Sequence, residues 1–219
     1  MSKRLPRDQR RAALLSAARG VLAERGYGDL TMERVARAAG VSKALMYDHF
    51  AHRREIYFAV LADERLTLIG RLAPAIAHGD SETRVRNGVR AYLELVDEYG
   101  DAYGAIFRDP GAHDPEIALE LTRMRDAVAD LIAAIIAGEI GDTAAAVQLQ
   151  AITMVGIMEA AAGWLISIPP AERPAIPRVA ALLSRQIWEG LGGLAEARAA
   201  REGGAEGAVV SLEPRSRER

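Results

Sequence analysis

A chain of 219 residues with 28 Lys+Arg, 30 Asp+Glu and no cysteine can bury a substantial core in one or two domains, but it can build neither a disulfide framework nor a thiolate metal site. No run approaches the roughly 18 consecutive apolar residues of a membrane helix, and the opening MSKRLPRDQRR is charged without the apolar segment of a secretion signal. A soluble, cytoplasmic protein with no membrane partner is therefore expected. The net charge of −2 conceals an asymmetry: residues 1–55 hold 12 Lys+Arg against 6 Asp+Glu, leaving 16 against 24 downstream. A basic head on an acidic body suits a polyanionic partner at one end only.

The basic arm Lys3, Arg4, Arg7, Arg10 and Arg11 leads into a first helix, expected over residues 8–25. Leu14, Leu15, Ala18, Val21 and Leu22 form its apolar stripe, and Gly26 ends it. Thr31 is placed to cap a second helix, with Leu30 and Val35 as a hydrophobic staple around it. Met32, Val35, Ala36 and Ala39 repeat at helical spacing. Gly40 then supplies a left-handed stop that a side chain would make costly. Ser42 can cap a third, short helix running into Tyr47, His49 and Phe50. Two short helices joined in this way can place the second in the major groove of DNA.

Residues 31–56 resemble the DNA-binding signature of the tetracycline-repressor (TetR) family of bacterial transcriptional regulators. Thr31, Val35-Ala36, Ala39-Gly40-Val41-Ser42, Tyr47, His49-Phe50, Arg53 and Ile56 carry the likeness. It is detailed over the first quarter of the chain and rests on length and helical layout beyond. It implies an all-α fold: a three-helix DNA-binding head with a helix-turn-helix, then a helical ligand-binding and dimerisation body. It also implies phosphate contacts from Thr31, Tyr47 and Arg53. Ser42, Lys43, Ala44, Leu45 and His49 are the candidates for base edges or adjacent phosphates. Ala44 and Leu45 stand where the family often has Gly or Pro and then a small polar residue, and Arg53 replaces a more usual lysine. Asp48 is acidic beside a polyanion, where it could accept from a cytosine amino group. These departures bear on base preference.

Further helices are expected over residues 53–78, from Asp80 through Tyr99, over 101–108, from Asp114-Pro115 to 137, over 143–168 and over 178–196. The first is a candidate rod between head and body. The divisions are expected at 1–52 for the head, 53–200 for the body and 201–219 for a disordered tail. The segment 143–168 is almost uncharged apart from Glu159, and Val179, Leu182, Leu183, Ile187, Leu191 and Leu194 follow at three-to-four spacing. A helix apolar around much of its circumference must be covered on several sides. Val179, Leu183, Ile187 and Leu191 are accordingly expected at a homodimer interface, the alternative being two central core helices.

Tyr92, Tyr99, Tyr103, Phe107, Met124, Met154 and Met158 come from helices expected to surround one centre. Aromatic and Met side chains can line a cavity for a greasy ligand, or simply fill a core. Glu159 could hold a polar group of that ligand, cap a buried network or face a partner subunit. The four histidines, His49, His52, His78 and His113, lack metal-ligand spacing, and no nucleophile elbow or phosphate-cradling glycine loop is present. No catalytic residue, metal or cofactor is expected. The expected function is a ligand-responsive homodimeric repressor, released from a pseudo-palindromic DNA operator by a small hydrophobic effector. The alternatives are a helical small-molecule carrier without DNA binding, and an enzyme.

Overall fold

The apolar stripe Leu14, Leu15, Ala18, Val21 and Leu22 is the buried face of α1 (Arg7–Arg25). The computed structural model describes residues 6–108, 114–140 and 143–202, and every regular element among them is helical. Gly26 closes α1 with its amide donating to the Leu22 carbonyl at 2.8 Å. The Thr31 hydroxyl oxygen accepts the Arg34 amide at 3.2 Å and starts α2 (Met32–Ala38). Leu30 and Val35, the staple residues, are both fully buried.

The turn after α2 is a Schellman motif. Val41 N–H donates to the Ala36 carbonyl at 2.9 Å and Gly40 N–H to Arg37 at 3.2 Å, with Gly40 at φ 67°. The Ser42 hydroxyl oxygen then accepts the Leu45 amide at 3.2 Å to open α3 (Lys43–Tyr47). Five residues cannot hold themselves helical. Met46 and Phe50, both buried against α1, α2 and α4, fix α3 in place.

Next, α4 (Arg53–Ala75) starts at His52, whose Nδ1 accepts the Glu55 amide at 3.2 Å. It stops three residues short of the expected end, with Pro74 in its last turn and Ile76 as its C-cap. Its first turns carry Ile56, Tyr57, Val60 and Leu61 into the head core, where Tyr57 meets Tyr27 edge-on at 4.9 Å. Its later turns carry Leu68 and Leu72 against α5 (Ser81–Tyr99). The expected division at 52/53 thus falls inside the head core, which continues to Leu61 and includes Ile117 from the start of α7 (Pro115–Ile140).

The body stacks α5, α7, α8 (Ala144–Ser167) and α9 (Ile176–Glu202) around Val89, Leu93, Val96, Ile136, Ala151 and Leu165. Between α5 and α7, α6 (Asp101–Tyr103) widens into a π turn over Gly104–Arg108 rather than the single helix expected. Tyr103 and Phe107, four residues apart, lie side by side there, with ring centroids 5.0 Å apart. α9 begins two residues earlier than expected, since Pro177 is tolerated in a first turn. The loop 109–113, most of the tail after 201, Lys3 and Arg4 lie outside the described residues, as do the side chains of Leu191 and Leu194.

One expectation is corrected here. Ile187 is only 4% exposed and packs into the core of its own body, and Val179 and Leu183 lean against that same core. Val179, Leu183 and Ile187 of the stripe read from the sequence thus turn to the inner face of α9, whereas Leu182 of the same stripe does not. The outer face instead presents Leu182, with 64% of its surface exposed. Along α8, Leu149, Ile152 and Trp164 are likewise exposed.

A methyl group added at Gly40 would meet no atom within 4 Å, so Gly40→Ala tests backbone conformation alone. It is expected to cost about 1–2 kcal/mol, and Gly40→Asn less, because Asn tolerates the left-handed region. Urea unfolding of the two variants measures this; equal stability of Ala, Asn and wild type would contradict the cap.

Candidate functional site

Two sites emerge, one on the head and one inside the body. On the head, Met46 and Phe50 turn the opposite side of α3 outward. Ser42, Lys43, Ala44, Tyr47 and Asp48 are exposed, and Leu45 and His49 partly so. Thr31 is exposed at the start of α2. Thr31 and Ser42 accept a backbone amide through oxygen, so each hydroxyl proton remains available to a phosphate oxygen. Arg53 lies over the Tyr27 ring at 5.0 Å, with Nη1 donating to the Gly28 carbonyl at 3.4 Å. It is braced against Tyr27 and Gly28 while remaining exposed. Arg11 stacks on Phe50 at 4.6 Å and reaches the His49 carbonyl at 3.5 Å, which pins α1 to the end of α3.

All eight sequence-predicted residues of the head are therefore exposed or partly exposed. Two others were not distinguished from solvated charge in the sequence: Arg11, which braces the end of α3, and His52, which caps α4. Arg11 acts through Phe50 and His49, far along the chain, and His52 through the Glu55 amide three residues on.

Inside the body, α4, α5, α7 and α8 enclose an elongated apolar cavity of about 110 Å³. Glu64, Leu68 and Leu72 of α4 and Ile76, its C-cap, line it at every fourth residue, a span of about 18 Å at the helical rise of 1.5 Å per residue. Tyr92, Tyr103, Phe107, Met124, Met154, Met158 and Glu159, the sequence-predicted ligand residues, all face it. Tyr99 and Phe107 also pack against the head core, so one aromatic cluster serves both compartments.

Polar groups are few and paired. The Tyr92 and Tyr103 hydroxyls meet at 2.5 Å, and burial, then the neighbouring Tyr103, pushes the Tyr92 phenol well up. Arg125 Nε donates to Glu159 at 2.6 Å; with side chains 45% and 38% exposed, this pair marks where the cavity reaches solvent. Arg84 also lines the cavity, its Nε donating to the Ile76 carbonyl at 2.9 Å. Nearest the head, the buried Glu64 carboxylate takes Arg19 of α1 on one oxygen and the Tyr99 hydroxyl on the other. Burial first, and then that bond to Glu64, raises the Tyr99 pKa, so the phenol stays protonated and donates.

Sequence reasoning missed Glu64, Arg84 and Arg125. Glu64 lies in the charged run Asp63-Glu64-Arg65, which reads as a solvated surface. A signal was present all the same, because Val60, Glu64 and Leu68 share one helix face and place a charge on an apolar stripe. Among the described residues, no group of three or more His, Asp or Glu could hold a metal ion.

The family model described as "Bacterial regulatory proteins, tetR family" matches residues 14–60, and "Tetracyclin repressor-like, C-terminal domain" matches residues 81–190. The transcriptional activator FasR of Mycolicibacterium smegmatis is 31% identical over 172 residues, covering 78% of each chain. A TetR-like regulator from Rhodococcus sp. RHA1 superposes with a TM-score of 0.70 at 26% identity, over 87% of this chain and all of its own. The Bacillus subtilis regulator FadR, solved with stearoyl-CoA, shares the fold at 14% identity and a TM-score of 0.71, over 80% of this chain and 96% of its own. With matches to both its head and its body, this chain belongs to the TetR family of bacterial regulatory proteins, and is a ligand-responsive, DNA-binding transcriptional regulator.

Proposed function

We propose that this regulator binds a pseudo-palindromic operator as a homodimer in the cytoplasm, and releases it when a long, largely apolar molecule with an anionic end fills the body cavity. One observation carries the reading: α4 is at once a wall of the cavity and part of the head core. A cavity of about 110 Å³ is well below the roughly 300–1,000 Å³ of a typical ligand site. Binding must therefore spread its walls, and a moving α4 carries Ile56, Tyr57, Val60 and Leu61 with it.

The ligand class follows from the lining. The walls are apolar over the length of three helical turns, and the solvent end holds Arg125. An acyl chain with a carboxylate or phosphate head fits that pattern. FadR, of the same fold, was crystallised with stearoyl-CoA, which makes that compound the natural probe. To move the heads from 1:99 to 99:1 the ligand must favour one state by about 5.5 kcal/mol. Whether release lowers or raises transcription depends on where the operator lies relative to the promoter. The expectation of a repressor and the naming of FasR as an activator are both compatible with one switch.

The second copy is expected on the outer faces of α8 and α9. α8 is long and apolar enough to cross a membrane by length and composition alone. Its Val147, Ala151, Met154 and Met158 are nevertheless packed into the body. What needs cover is the opposite stripe Leu149, Ile152 and Trp164, joined by Leu182 of α9. A partner stripe on a two-fold axis would supply it, in an interface above about 2,000 Å² as for obligate dimers. The two heads would then meet successive major grooves, about 34–36 Å apart.

Three outcomes are expected. Operator DNA selected from random sequence should be released on addition of stearoyl-CoA, as read by fluorescence anisotropy; affinity unchanged at saturating ligand would sink the proposed switch. Lys43→Ala should weaken operator binding and flatten its log–log salt dependence by about one counterion if Lys43 holds a phosphate. If Lys43 reads a guanine instead, about 1–3 kcal/mol of discrimination should be lost at one position; neither effect would remove Lys43 from the site. Finally, Leu182→Glu should sediment as a folded monomer with little operator affinity, whereas Ile187→Glu should unfold the body. A dimeric Leu182→Glu protein would place the interface elsewhere.

A further inference from the structure

Glu64 has no place in a simple account of an apolar ligand site. Its side chain is 1% exposed, yet it lies on a helix that could have kept a leucine there. A buried carboxylate is costly unless paired and hydrogen-bonded. Here both oxygens are satisfied, and by partners from different parts of the molecule: Arg19 of α1 and Tyr99 of α5. Arg19 is shared with the exposed Asp63, donating to it from Nη2 at 2.6 Å. Three helices thus meet at one charge. α1 belongs to the head, α5 to the body, and α4 runs through both.

The same carboxylate and the same phenol face the cavity. Tyr99 also packs against Phe107, with ring centroids 6.3 Å apart, and Phe107 in turn touches the head core. Cavity volume is scarce, so anything entering between α4 and α5 separates the helices that carry Glu64 and Tyr99. The exposed pair Arg71–Glu98 joins the same two helices at 2.8 Å but faces solvent. It can re-form through water after such a shift. The buried group does so far less readily, because the Glu64 side chain is only 1% exposed.

We propose that Glu64 is a positioning residue that ties the state of the cavity to the placement of α1: its carboxylate holds Arg19 in register while Tyr99 supplies its second donor, and a ligand wedged between α4 and α5 removes that donor. Without Tyr99, Glu64 draws Arg19 away from its shared position with Asp63, and α1 shifts with it. Since Arg11 of α1 braces Phe50 and the His49 carbonyl, that shift reaches the end of α3. This inference rests on the proposed ligand-controlled release and adds the residues through which it is transmitted.

The test compares full-length wild type, Glu64→Gln, Tyr99→Phe and the surface control Arg71→Ala. Operator affinity is measured with and without saturating stearoyl-CoA, and the ratio gives a coupling factor. A wild-type factor of about 5–150 is the usual range for allosteric coupling. Glu64→Gln and Tyr99→Phe should each reduce it to below about 2, while Arg71→Ala keeps the wild-type value. Wild-type coupling in Tyr99→Phe, or in a Glu64→Gln protein that melts cooperatively, overturns the proposal, as does equal loss in Arg71→Ala. Should Glu64→Gln not fold, Tyr99→Phe decides alone. If stearoyl-CoA fails to bind wild type, the ligand class is wrong. The Glu64 assignment is then read from ligand-free amide exchange: faster exchange over residues 7–25 in Glu64→Gln but not in Arg71→Ala supports it, and equal exchange rejects it.

Discussion

One rigid helix has to satisfy two cores. The stripe of α4 enters the head with Ile56, Tyr57, Val60 and Leu61 and reaches the body with Leu68 and Leu72. A helix does not bend freely between such anchors, because each residue's amide is committed to a carbonyl one turn away. Displacement of one end therefore appears at the other. The head has further ties to the body at Ile117, and at Arg54, which donates to Asp114 and Glu116 at 2.8 Å each. These bind α7 to the same end of α4, so head and body are connected through walls of the cavity.

The body is built to tolerate a variable interior. A well-packed core loses stability with each methylene-sized void, yet the cavity is lined by Met124, Met154 and Met158. Unbranched thioether side chains can fill such a space or retreat from it by changing rotamers. The π turn at Gly104–Arg108 contributes in another way. It presents Phe107 to the cavity beside Tyr103. Small displacements in this lining reach α1, against which the π turn packs. The cavity and the head therefore share structure at several points, and the buried charge at Glu64 is the most specific of them.

Much of this was legible in the sequence because it depends on local rules. Caps need a hydroxyl three residues before a free amide, and Thr31 and Ser42 provide it. A Schellman turn needs positive φ, and Gly40 supplies it. Apolar spacing located the buried face of α1 residue by residue. What escaped depends on which neighbour a helix face meets. On α9 the stripe through Ile187 and the isolated Leu182 differ by little in hydrophobicity, and periodicity alone cannot say which faces its own chain. α8 is apolar on both sides, so it has no amphipathic signal to orient it. The cavity residues of α4 were missed because a ligand wall and a core stripe have the same composition. Glu64 was missed because sequence neighbours, unlike spatial ones, were charged.

The head's own chemistry explains why geometry should be the controlled variable. Between Lys43 and Tyr47, α3 offers one cation and no Arg, Asn or Gln, the other side chains that pair with base edges in bidentate fashion. Ala44 and Leu45 give apolar contact, which distinguishes a thymine methyl but little else. A single head of this kind would bind with modest discrimination, much of its affinity coming from phosphates and carrying no sequence information. In the proposed homodimer, specificity would then come in large part from two heads landing together at a fixed separation and angle. A regulator that depends on spacing is one that a body cavity can control. Changing the separation by a fraction of a groove removes the joint fit while each head remains folded and intact.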